Sequence, residues 1–124
     1  METLTKTQLA ALPRDTMKKV VIAFDIDGTL RCNCTSTCQD PNLQIVRLAR
    51  ILATFKNVKV IAWSGGGKEY TETMVRRLKL DDVISPARCH SKLNYFMKHG
   101  KPDIAIDDIQ ETALANINLI VREK

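Results

Sequence analysis

Asp25 and Asp27 are separated by one residue and followed by Gly28 in the stretch VVIAFDIDGTL, residues 20–30. Two more carboxylates adjoin at Asp107-Asp108, in DIAIDD. Between them in the chain come Ser64-Gly65-Gly66-Gly67, at the end of VIAWSGGG, and Lys92. Carboxylates gathered at one place repel one another unless a hard cation sits among them, and Mg²⁺ takes oxygen ligands while keeping several waters. A carboxylate neutralised in this way can attack phosphorus as a nucleophile. A second carboxyl two residues on can give a proton to the leaving oxygen and later take one from water. Gly28 permits the tight turn that would bring both carboxylates to one phosphate. Ser64 and the backbone N–H groups of Gly65 and Gly66 can hold phosphate oxygens at the start of a helix.

Such a site requires elements that bring these segments together. Continuous apolar runs predict buried strands over 20–24 and 58–63, with shorter ones over 83–84, 103–106 and 118–121. Helices are expected from Asp40-Pro41-Asn42 onward, over 68–78, over 92–98 behind a Ser91 cap, and near 109–115. Residues 1–17 read as an N-terminal arm, with a short helix ending before Pro13 or a loose segment, and 18–124 as one domain. Strands alternating with helices predict an α/β fold whose parallel sheet is covered on both faces. Ligands of such sheets bind beyond the carboxyl ends of the strands. Asp25 and Asp27, Ser64–Gly67, and Asp107-Asp108 all fall there. A lysine is still needed to balance a phosphate against Asp25. Lys101 precedes the fourth strand and lies at the wrong end, ~15 Å or more from Asp107 at ~3.3 Å per residue. Lys92 opens a helix on the correct edge and is the better candidate.

With 124 residues the chain suffices for one core. No apolar run approaches the ~18 residues that cross a bilayer, and the first residues lack a signal-peptide core. A cytoplasmic location is therefore expected, where cysteines stay reduced and a cluster of them reads as metal-binding or reactive rather than disulfide-bonded. The net charge of +5 is spread without a dense basic run. It biases the surface toward anionic partners and is no nucleic-acid motif by itself.

FDIDGTL resembles the first motif of the haloacid dehalogenase (HAD) superfamily, DxDGT. IAWSGGG is similar to its second motif, Lys92 to its third, and DIAIDD to its fourth, in matching order across 20–108. The resemblance implies a Rossmann-like three-layer sandwich with a central parallel five-stranded sheet. It implies phosphoryl transfer through an aspartyl-phosphate on Asp25, with Asp27 as general acid and base. The Asp25 side chain, the Asp27 backbone carbonyl and Asp108 would hold Mg²⁺, Asp107 supporting. An aspartate at position 27 goes with phosphatases and mutases of the family. Many members insert a cap domain, but residues 31–40 and 85–91 are too short to fold as one. A capless member with an open site is expected.

All four cysteines fall in loops at the same edge: Cys32, Cys34 and Cys38 after the first motif, Cys89 beside His90 after the third strand. Zinc takes four such S or N ligands in a tetrahedron. These five residues could form a structural zinc site that ties down a short loop; reduced thiols and a disulfide are the alternatives. Trp63 reads as core packing, and Arg31, Lys68 and Arg88 as solvated loop residues. The expected function is a Mg²⁺-dependent phosphomonoesterase open to a large phosphorylated substrate, a polynucleotide end or a protein, with no membrane partner. The competing expectation is a zinc-stabilised module of the same fold that binds anions or a partner without turnover.

Overall fold

The computed structural model describes residues 5–10, 18–32, 40–109 and 114–121. Strand β1 (Val20–Asp25) is apolar on both faces, the pattern of a strand covered on both sides. Ile22 and Phe24 enter one layer, while Val21 and Ala23 enter the other. Strand β2 (Val58–Ser64) repeats the alternation, Val60 and Ala62 against Ile61 and Trp63. After the short helix α1 (Lys6–Ala10) and β1, the chain forms α2 (Leu43–Ala53), β2, α3 (Lys68–Arg77) and a 3-10 turn over Pro86–Arg88. Then come β3 (Cys89–Ser91), α4 (Lys92–His99), β4 (Ile104–Asp107) and β5 (Ile117–Ile120).

The five strands form one parallel sheet in the order β3-β2-β1-β4-β5. Helices α2 and α3 cover one face through Val46, Ala49, Met74, Val75 and Leu78. Helix α4 covers the other through Tyr95, whose ring meets Trp63 edge-on at 5.7 Å. This is an α/β, Rossmann-like arrangement in three layers. Among the described residues no second domain is inserted, and no helix is long and apolar enough to cross a membrane.

The sheet grows from β1 through β2 to β3 on one side, then resumes with β4 on the other side of β1. The winding reverses between β1 and β4, and such a switch point opens a crevice beyond the strand ends. Asp25 is the last residue of β1 and Asp107 the last of β4.

The third strand differs from expectation. Residues 83–84 lie in a turn, where the Val83 and Ile84 amides both donate to the Leu80 carbonyl, at 3.0 and 2.8 Å. Ile84 and Leu80 are buried as core, so their apolar character reflects packing rather than strand pairing. The sheet edge is instead CHS, residues 89–91, paired from Ala62 to Ser64. The helix expected near 109–115 falls mostly outside the described residues, and Leu114–Asn116 form bends.

Candidate active site

Lys92, the first residue of α4, reaches across the crevice to both strand ends. Its Nζ lies 3.1 Å from Asp25 Oδ1 and donates to Asp107 Oδ2 at 2.8 Å. The sequence places it there through β3: Ser91 pairs with Ser64 and caps α4 by accepting from the Asn94 amide at 3.2 Å. The two carboxylates it bridges are buried, Asp25 at 6% exposure and Asp107 at 2%. Burial, then the Asp107 charge, push the Asp25 carboxyl up to about 7, against the pull of Lys92. Burial also opposes the charge on Lys92, but its hydrogen bond to Asp107 and the charge of Asp25 outweigh it and raise the ammonium pKa. Lys101, at the other end of β4, takes no part.

Asp108 completes an acidic trio. One oxygen from each of Asp25, Asp107 and Asp108 lies within 4.8 Å of the others. Asp108 Oδ1 is buried with no hydrogen-bond partner among the described residues. Burial and the neighbouring Asp107 carboxyl raise its pKa. Close oxygen-only donors, two of them buried and the third partly so, could hold a hard cation such as Mg²⁺. Gly28 allows this closeness: it holds φ +82°, and a Cβ there would collide with the Asp108 carboxylate. The turn itself is tight, with the Gly28 amide donating to the Arg31 carbonyl at 2.9 Å and the Arg31 amide to that of Ile26 at 3.0 Å.

Asp27 sits beyond the trio and is half-exposed. The Tyr70 hydroxyl lies 2.8 and 2.9 Å from its two oxygens and donates to them, and Arg31 Nε lies 3.1 Å from Oδ1. Tyr70 escaped the sequence reading, and Arg31, expected to be solvated, has a mostly buried side chain. Tyr70 is in the first turn of α3, where helical spacing marks it as an ordinary half-buried aromatic. Only the register that sets Asp25 beside Trp63 brings α3 over the Asp27 turn.

Ser64 ends β2 and is buried. Its Oγ accepts from the Gly66 amide at 3.0 Å, leaving its own hydrogen to donate. Gly65 and Gly66 are exposed, and Gly67 takes φ +102° at the N-cap of α3. The loop is thus exposed at the end of β2 and the start of a helix, a setting in which backbone amides can meet an anion. Lys68 instead braces the neighbouring turn, donating to the Pro86 and Cys89 carbonyls at 2.6 and 3.0 Å and pairing with Glu72 at 3.1 Å.

The cysteine expectation meets a geometric limit. Cys34 and Cys38 lie outside the described residues. Cys89 and His90 are successive residues of β3, not of a loop, so they point to opposite faces. Cys89 joins the core under α3, while the His90 ring packs on Tyr95 in the other layer. One ion cannot take both. Cys89 is 1% exposed, and burial pushes its thiol up to about 11. Iodoacetamide at pH 8 is therefore expected to leave Cys89 unlabelled in the folded protein and to label it in urea; peptide mapping checks this, and rapid native labelling would contradict it.

Against known proteins, a scan of family models finds none that matches the chain, and no curated protein matches it.

Proposed function

We propose that the chain is a Mg²⁺-dependent phosphomonoesterase of the haloacid dehalogenase type, working through a phosphoryl group carried on Asp25. The observation that carries this reading is Lys92 bridging Asp25 and Asp107 at the switch point, with Asp108 beside them. Asp25, Asp108 and, in support, Asp107 would hold Mg²⁺, together with the Asp27 backbone carbonyl. The ion, when bound, supplies the positive charge that lets a carboxylate approach an anionic phosphate. Ser64 and the Gly65 amide would steady the phosphate oxygens, with Lys92 offsetting charge from the opposite side.

An Asp25 oxygen bonds to phosphorus as the bond from phosphorus to the ester oxygen breaks. Asp27 gives its proton to that leaving oxygen. A water then attacks phosphorus, Asp27 takes the water's proton, and the bond from Asp25 to phosphorus breaks, returning both carboxyls to their starting states. The open crevice suits a phosphate presented on a large molecule such as a polynucleotide end or a protein.

The test uses p-nitrophenyl phosphate and the full chain, with Mg²⁺ or with EDTA. Phosphate release only with Mg²⁺, and a hydroxylamine-labile phosphoprotein on acid quench, are expected. No release from aryl, alkyl or acyl phosphates would sink the proposal.

Tyr70 fixes the orientation of Asp27 in this scheme. Placing a general acid is worth roughly 10²–10⁴ in rate, and loosening it forfeits part of that. Tyr70→Phe is expected to slow an alkyl phosphate about tenfold and p-nitrophenyl phosphate less, because the latter's leaving group needs little protonation. Equal losses in kcat for the two substrates would mean that Tyr70 serves packing rather than the acid.

A further inference from the structure

A cleft of about 290 Å³ opens on the α4 side of β3 and runs along α4 from Ser91, next to Lys92 in the chain, to Lys98 and His99 in the helix's last turn. Lys68, His90, Asn94, Tyr95, Lys98 and His99 form most of its wall, and among the described residues no carboxylate lines it. The Lys68 charge is partly offset by Glu72. Lys98 is exposed on α4, and among the described residues no carboxylate pairs with it or with His99. Three rings stiffen the wall: Tyr95 lies 5.0 Å from His90 and 4.9 Å from His99, and the two imidazoles are 6.2 Å apart. Burial, then the charges of Lys68, His99, Lys59 and Lys98, hold the His90 imidazole down at about 4. Neutral, it has one N–H to donate, and Lys68, Lys59 and Lys98 are the lysines whose charges act on it.

The cleft shares a wall with the candidate phosphate site. Ser91 lines it, pairs with Ser64 across the sheet and precedes Lys92. Lys68 lines it and begins the helix that follows the Ser64–Gly67 loop.

We propose that this cleft binds a second phosphate group of the substrate, so that the site favours phosphate monoesters whose leaving group carries another phosphate. The proposal rests on the phosphatase reading for its kinetic half alone. The second phosphate could be the internal diester of an oligonucleotide or the second monoester of a small bisphosphate. Both are anions of the size and charge that Lys98, His99 and the His90 N–H would hold.

Two measurements test it. In the first, ring resonances of His90 and His99 are followed by NMR as inorganic phosphate is added in EDTA, with chloride as control. A saturable shift of both rings is expected with phosphate only. Lys98→Ala should weaken it about tenfold, the worth of one charge-assisted hydrogen bond. Rings that stay silent would overturn the proposal, whether or not the protein turns over substrate. In the second, kcat/KM is compared for a terminally phosphorylated dinucleotide, a hexose bisphosphate and p-nitrophenyl phosphate. Lys98→Ala should cut the ratio of one of the first two to the last about tenfold, and the one affected identifies the source. Unchanged ratios for both would overturn it. If no phosphate ester is cleaved at all, the phosphatase reading fails, while the NMR result still decides whether the cleft is an anion site.

Discussion

Asp25→Asn is expected to abolish turnover and at the same time to make the metal-free protein more stable above pH 7. The first effect follows from chemistry, because the amide has no charge to attack phosphorus yet fills the same space. Loss of the nucleophile should lower kcat by at least about 10⁴-fold, the scale seen when a covalent catalytic group is removed. The second effect follows from burial. The Asp25 carboxyl is raised from 3.8 to about 7, chiefly by desolvation and the Asp107 charge, and this is the net result after the pull of Lys92. Between those two values the folded protein binds a proton that the unfolded chain has released. Stability therefore falls as pH rises through that window and levels off above about 7. At ~1.4 kcal/mol per pH unit, the ionised side chain costs on the order of a few kcal/mol. Asparagine removes that cost, and Lys92 keeps its hydrogen bond to Asp107. Urea unfolding in EDTA at pH 5 and pH 8 checks it: the wild type should lose more stability across that range than the variant. Added Mg²⁺ should stabilise the wild type more than the variant, since a ligand stabilises only the state that binds it. Parallel pH profiles would show that Asp25 is not the strained group, and turnover within about tenfold of wild type would show that it is not the nucleophile.

The strands that carry the site were legible because a buried parallel strand leaves a continuous apolar run, as in residues 20–24 and 58–63. The choice of Lys92 over Lys101 needed only strand direction and the rise per residue. Strand β3 was not legible, because its three residues, Cys89-His90-Ser91, carry no apolar run of their own. They pair because a 3-10 turn at Pro86 delivers them to the free edge of β2. The apolar pair at 83–84 drew the expectation away, being core under α3 instead. The same shift by a few residues turned Cys89 and His90 from loop neighbours into opposite-facing strand residues, so at most one of the two could join Cys32, Cys34 and Cys38 on a single ion. Tyr70 was hidden for another reason: its partner Asp27 lies 43 positions away, and no local pattern announces a long-range hydrogen bond. The site departs from ordinary packing rules where three carboxylates crowd together, and such local violations are where function is expected.

Lys92→Met is expected to cost both stability and turnover, with the stability loss growing as pH rises. The methionine fills much the same volume but leaves Asp25 and Asp107 without their shared cation. Removing one partner of a buried ion pair typically costs about 3–5 kcal/mol. Lys92 does not itself titrate in the relevant range. Burial works against its charge, but the bond to Asp107 and the charge of Asp25 raise its pKa. Its contribution is thus complete below about 10.5 and is lost only as pH rises through the still higher folded value. The pH dependence of the variant comes from the carboxylates it abandons. At pH 5 Asp25 holds a proton with or without Lys92, whereas above about 7 the wild type ionises it beside the ammonium and the variant has no cation to meet that charge. The deficit against wild type, measured by urea unfolding in EDTA, should therefore be larger at pH 8 than at pH 5. Turnover should fall by roughly 10²–10³, the cost of deleting one charge-stabilising donor in an active site. A double variant separates pairing from packing. Combining Lys92→Met with Asp25→Asn removes one of the carboxylates that the lysine neutralised, so at pH 8 it should recover part of the lost stability. The two changes should then couple by about 0.5–3 kcal/mol, as contacting residues do. Strictly additive effects would mean that Lys92 does not hold Asp25, and the bridge across the switch point would not be the device that keeps these carboxylates together.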